Sequence, residues 1–133
     1  MKEQPQHPEP ILSPEEQERV KLSICHFFEN KLNELEANAG SNPSGYVQQF
    51  YELCSGSTEP WTRKKEFDLL GLAVPLRIRF DQHGGYQPKL RKMSINITPL
   101  LQARSANELK EAGLSVLETV HHESEHIFFP GEL

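Results

Sequence analysis

The stretch Thr119-Val120-His121-His122-Glu123-Ser124-Glu125-His126 is the only part of the chain whose residue types and spacing point to one specific chemistry. Within it, His122, Glu123 and His126 are spaced H-E-x-x-H. On a helix, residues i and i+4 stand one above the other, so the two imidazoles would face a single metal ion. Glu123 follows the first imidazole directly and would sit beside a metal-held water, where a carboxylate can serve as general base. His121 points about 100° away from His122 on the same helix and is expected at the surface. Glu118 and Glu125 are expected on the solvent side, as solvating charges or as acceptors for a ligand's second ring nitrogen. His83 lies in a Gly-rich turn and could reach the site as an electrophile or a ligand, although turn histidines usually do neither. Tyr86 could polarise a substrate carbonyl. Cys25 and His26 are neighbours on one helix and do not face each other, which a nucleophilic pair requires. They read as packing and surface residues.

The element that must hold the motif is a C-terminal helix expected over about 105–129. Ser105-Ala106-Asn107-Glu108 reads as a capping box at its start, and Pro130-Gly131 as its end. Leu109, Gly113, Val116, Leu117, Val120 and Ile127 form one apolar stripe, which places His122 and His126 on roughly the opposite side. Upstream, Leu72, Val74, Leu76, Ile78 and Phe80 alternate with Ala73, Pro75, Arg77 and Arg79, the period of a strand with one buried face. Pro75 removes a ladder donor there, so that side of the strand is expected to be free. Residues 81–86 read as a turn. Met93, Ile95 and Ile97 then alternate with Ser94, Asn96 and Thr98, which predicts a second strand and an antiparallel hairpin.

At the other end, Ser13-Pro14-Glu15-Glu16 predicts the start of a long helix: a cap, a proline suited to the first helical position, and a box-closing glutamate. Val20, Ile24, Phe27, Phe28, Leu32 and Leu35 give it a buried face, and Gly40 is expected to cap its end in the left-handed conformation. A short helix is expected over 46–53, and 61–70 reads as a short strand or irregular segment. Residues 1–12, with Pro5, Pro8 and Pro10, are expected to be an extended or disordered lead-in to a single domain over 13–133. The fold class is therefore α+β: a small antiparallel sheet or hairpin with flanking helices.

The chain has 133 residues, 36% of them apolar and 25% charged, enough for one ordinary domain with its own core. Its net charge of −5 argues against a nucleic-acid partner. No apolar run approaches a membrane span, and the polar, Pro-rich start lacks the apolar region of a secretory signal. Cys25 and Cys54 are the only cysteines and read as free thiols in a reducing, cytoplasmic compartment.

From about Leu72 onward the chain resembles the core of the zincin-type zinc metallopeptidases, in which a hairpin and an edge strand precede the active-site helix. Thr119 and Val120 match that superfamily's preferences before the first histidine. Ser124 matches between the glutamate and the second histidine where Glu125 does not, and Ile127 and Phe128 match after it. The resemblance implies that His122 and His126 bind Zn2+ and that Glu123 moves a proton from the water to the leaving amine. It also implies that the edge strand Ser94, Ile95, Asn96, Ile97 and Thr98 lays out a peptide or protein substrate. A catalytic zinc takes three protein ligands. Glu132 stands ten residues after His122, where one zincin branch has its last ligand, but Phe129 replaces that branch's turn glycine. Either Glu132 ligates or the chain is a short relative with an incomplete site. Two other readings stand beside the peptidase: a zincin-like metal-binding or regulatory domain without proteolysis, and an α+β interaction module whose histidine helix binds nothing. Oligomeric state is left open.

Overall fold

The structure, a computed structural model, describes residues 12–39 and 45–128. The order of elements is α1 (Pro14–Asn38), α2 (Tyr46–Ser55), β1 (Glu66–Leu69), β2 (Leu76–Asp81), β3 (Gly85–Gln87), β4 (Lys92–Asn96), α3 (Thr98–Gln102) and α4 (Ala106–Glu125). The α+β class expected from the pattern is the class observed, with a four-stranded sheet in the order β1-β2-β4-β3.

The helix starts follow their caps. The Ser13 hydroxyl accepts from the Glu16 N–H at 3.1 Å and the Glu16 carboxylate accepts from the Ser13 N–H at 2.9 Å, which satisfies two donors a helix end leaves orphaned. At α4 the Ser105 hydroxyl accepts from the Glu108 N–H at 3.2 Å, while the Glu108 carboxylate reaches one residue further back, to the Arg104 N–H at 2.6 Å. Ser105→Ala is expected to lower unfolding free energy by about 1 kcal/mol, measured by urea denaturation. No change would mean that the Arg104–Glu108 bond alone secures this end. The chain leaves α1 through Ala39 in extended backbone; Gly40 lies outside the described residues. Helix α2 runs to Ser55 and is closed by Gly56 at φ 75°, a conformation that favours glycine.

The sheet corrects the expected antiparallel hairpin. β2 and β4 pair in parallel, with Ile78 opposite Met93 and Phe80 opposite Ile95, and the antiparallel partner of β4 is β3. A three-residue strand and a 3-10 turn (Pro88–Leu90) lie between β2 and β4, and Arg91 at φ 50° reverses the chain. β4 therefore inserts between β2 and β3. Pro75 lies outside the ladder, and β2 begins one residue after it, because proline has no N–H to donate. β2 is paired on both sides, so the expected free side is absent.

Alternation sorts the two faces. Ile78, Phe80, Met93 and Ile95 are fully or nearly fully buried and meet the helices. Arg77, Arg79, Asp81 and Lys92 lie on the other face, where Arg77 pairs with Asp68 at 3.1 Å and Lys92 with Glu66 at 2.7 Å. The core is centred on aromatics. Phe50 of α2 stacks on Phe80 at 5.0 Å between centroids with 5° between planes, and Phe67 and Tyr51 meet Phe80 edge-on. Helix α4 packs on β4, α1 and α3, so its C-terminal end stands beside the loop that leaves β2. Among the described residues, no helix is long and apolar enough to cross a membrane.

Candidate metal centre

His122, Glu123 and His126 each offer one ligand atom, and these atoms lie within 4.8 Å of one another. The two imidazole rings are 5.0 Å apart at their centroids and inclined at 79°. His122 Nε2 is 4.0 Å from Glu123 Oε2. Their environments differ sharply. The His122 side chain is 71% exposed, His126 is half-buried, and Glu123 is only 7% exposed. The helical lattice explains this: Val116, Val120, Glu123 and Ile127 follow one another at spacings of four, three and four, and all are buried. Glu123 therefore occupies a core-facing position, and His122 lies on the solvent side.

Helix α4 ends sooner than its sequence pattern suggests. Its last helical residue is Glu125, and His126 is the C-cap, its N–H donating to the carbonyls of Glu123 and Ser124. The second imidazole thus sits where the helix stops. Pro130-Gly131, expected to end it, and Glu132, the candidate third ligand, lie outside the described residues.

The floor of the site comes from the loop between β2 and β3. A Cβ built on Gly84 would lie 3.0 Å from Glu123 Oε2 and 3.1 Å from Thr119 Cγ2. A side chain at 84 would therefore crowd these two side-chain ends, which would have to give by a few tenths of an ångström. An open groove of about 460 Å³ runs past the loop, lined by Gly84, Asn96, Pro99, Thr119, His122 and Glu123 among others. Gly84 is the residue that reading the sequence for chemistry misses. Its Gly-Gly pair marks a turn, which carries no signal of the element that the turn meets.

The expected edge strand is corrected here. Residues 94–96 belong to β4, an inner strand, and Ile95 and Ile97 are fully buried. Thr98 is the first residue of α3, because Pro99 favours the first turn of a helix and cannot continue a ladder. Of the five residues, only Asn96 lines the groove. Its side chain also accepts from the Thr98 N–H at 2.9 Å, which holds the turn into α3. Tyr86 is partly buried against the core and does not line the groove.

Helix α1 anchors the motif from behind. Cys25 Sγ lies 3.4 Å from His121 Nδ1, the Ser124 hydroxyl donates to the His121 carbonyl at 2.9 Å, and Lys21 Nζ donates to Glu125 at 3.2 Å. His121 is exposed, as expected, yet paired across the helices, and Glu125 ties α4 to α1. The histidine facing Cys25 is thus His121, not its neighbour His26. Burial pushes the Cys25 thiol up, against an opposing hydrogen bond from Ser124. The protonated thiol is favoured, which suits packing and not nucleophilic attack. Cys25 and Cys54 are both free thiols.

The donor set fits zinc. Neutral imidazole and carboxylate are borderline donors of the kind this ion takes. Two atoms each about 2.1 Å from one ion are at most about 4.2 Å apart, so donors up to 4.8 Å apart would draw together by about half an ångström to share an ion. Comparison with protein-family models, with curated proteins and with solved structures found no match.

Proposed function

We propose that the protein is a zinc-dependent peptidase, similar to a minimal zincin, acting on a peptide or protein substrate in the groove beside α4. The observation that carries this reading is the convergence of His122, Glu123 and His126 within 4.8 Å, with His122 and Glu123 on the wall of an open groove. When bound, zinc polarises the scissile carbonyl and lowers the pKa of water to about 7. The residues of the chain do the rest. His122 and His126 hold the ion, with Glu132 a further candidate donor. Glu123, buried on α4 beside Gly84, would accept a proton on a carboxylate oxygen and deliver it to the leaving amine.

The test is metal removal. Untagged protein loaded with one equivalent of zinc is expected to cleave a mixed peptide library. Dialysis against a chelator is expected to abolish cleavage, and stoichiometric zinc to restore it. A product pattern unchanged by chelation would sink the reading, as would zinc-loaded protein that cleaves nothing.

One observation favours a second reading, a metal-binding domain without proteolysis. The Glu123 carboxylate lies 4.0 Å from His122 Nε2, a separation that two ligands of one ion can have. If it binds the ion, no base remains.

A further inference from the structure

Helix α4 carries more than the metal trio on its solvent side. Glu108, Glu111, Ser115, Glu118 and His122 follow one another at spacings of three, four, three and four, so they share one face of the helix, and all are exposed. That face is one wall of a continuous trough. The groove at the metal centre meets a second open depression, of about 420 Å³, at Pro99 and Ser115. Glu108 and Glu111 line the second depression, and Glu118, His122 and Glu123 line the first. We infer that the trough takes a peptide segment rich in lysine or arginine, with its cations against Glu111 and Glu118; its role as substrate rests on the peptidase reading above.

The carboxylates of the trough lack the partners that others in the chain have. Glu18 and Glu125 share Lys21, Glu66 holds Lys92, Asp68 holds Arg77 and Asp81 holds Arg79. Glu108 is taken up at the helix start, where it accepts from the Arg104 N–H. Among the described residues, neither Glu111 nor Glu118 has an ion pair or a hydrogen-bonding side chain, and no lysine or arginine lines either half of the trough. The cations nearest in sequence, Arg104 and Lys110, line a different depression, with Glu36 and Tyr46. The field in the trough is therefore of one sign, which draws cations to it. A second observation is independent of that charge pattern. The Glu123 side chain is 9% exposed and lines the trough, yet among the described residues no hydrogen-bond donor reaches it. His122 Nε2, at 4.0 Å, is beyond hydrogen-bonding range. A buried carboxylate without a donor is costly, so the trough favours an occupant that brings positive charge and N–H groups.

The dimensions fit a short extended segment. His122 lies about 21 Å along the helix axis from Glu108, at 1.5 Å per residue. A segment of about six residues covers that length at about 3.3 Å per residue. Lysine and arginine suit the surface because their stems lie along apolar ground while the charged head reaches outward. Pro99, Ala103 and Ala112 supply that ground. Each solvent-facing ion pair contributes little alone, so selectivity comes from Glu111 and Glu118 acting together.

The experiment uses a pair of dye-labelled peptides of about six residues, identical except that the lysines of one are serines in the other. Their binding to the full, untagged, zinc-loaded chain is read by fluorescence anisotropy on mixing, and their cleavage is then followed by mass spectrometry. The proteins are wild type, Glu111→Gln/Glu118→Gln, and Glu29→Gln/Glu34→Gln, which removes the same charge from exposed positions of α1 outside the trough. In low salt the lysine peptide is expected to bind wild type about tenfold more tightly than the serine peptide, the scale of a few surface ion pairs. High salt is expected to erase the difference. The trough variant is expected to lose the preference and the α1 variant to keep it. Equal binding of the two peptides to wild type overturns the inference, as does an equal loss in the two variants; cleavage of both peptides alike in that case leaves the peptidase reading standing. A lysine preference that depends on Glu111 and Glu118, with neither peptide cleaved, supports the occupant of the trough and sinks the peptidase reading.

Discussion

Glu123→Gln is expected to retain zinc at the wild-type stoichiometry and to lower peptide cleavage by about 10²–10⁴-fold, the usual contribution of a positioned general acid–base group. The substitution replaces one carboxylate oxygen with an amide nitrogen at nearly constant volume. This matters at a position only 7% exposed and packed against the Gly84 backbone, where a smaller side chain would open a void. The amide cannot take up a proton at neutral pH, so the proton transfer stops while the two imidazoles remain. Thermal unfolding is expected at or above the wild-type temperature, because a neutral amide is less costly to bury than a charge. Cleavage within tenfold of wild type would remove Glu123 as the base. Simultaneous loss of zinc and cleavage would make it a ligand and favour the non-proteolytic reading.

Phe80→Ala is expected to lower unfolding free energy by about 3–5 kcal/mol, the range for truncating a buried aromatic side chain. That is a large part of the 5–15 kcal/mol that typically holds a domain together. Phe80 is 1% exposed. It stacks on Phe50, meets Phe67 and Tyr51 edge-on, and lies opposite Ile95 in the sheet. One ring thus joins α2, β1, β2 and β4. It also sits at the end of β2, from which the chain enters the loop that floors the metal centre. Urea denaturation measures the change. A loss below about 1 kcal/mol would show that the surrounding rings collapse into the space, and would remove Phe80 as the centre of the core.

The helices were legible because their signals are local. Ser13, Pro14 and Glu16 mark the start of α1 within four residues, and Ser105 does the same for α4. The buried faces of β2 and β4 were also legible, since alternation assigns Ile78, Phe80, Met93 and Ile95 inward whatever their partners. Direction was not, because alternation is the same in parallel and antiparallel pairs. The deciding feature was β3, which at three residues carries too little pattern to announce itself. Thr98 read as a strand because it continues the alternation of Met93 to Ile97, and Pro99 carried the contrary signal. At the site, the helical spacing that pairs His122 with His126 was plain. The burial of Glu123 was derivable from its place three residues after Val120. What no spacing conveys is that Gly84, nearly forty residues earlier, lies beside that carboxylate: such proximity belongs to tertiary structure.

The two outer strands of the sheet are four and three residues long, and the outer one at the β1 side carries Glu66 and Asp68 paired with cations of its neighbours. Strands this short, one of them charged as well, make poor templates for another chain. Joining sheet to sheet with another copy of the chain is therefore disfavoured at these borders. The same feature means that an extended polypeptide gains little purchase from main-chain pairing, and any grip on it has to come from the side chains and loop that flank α4.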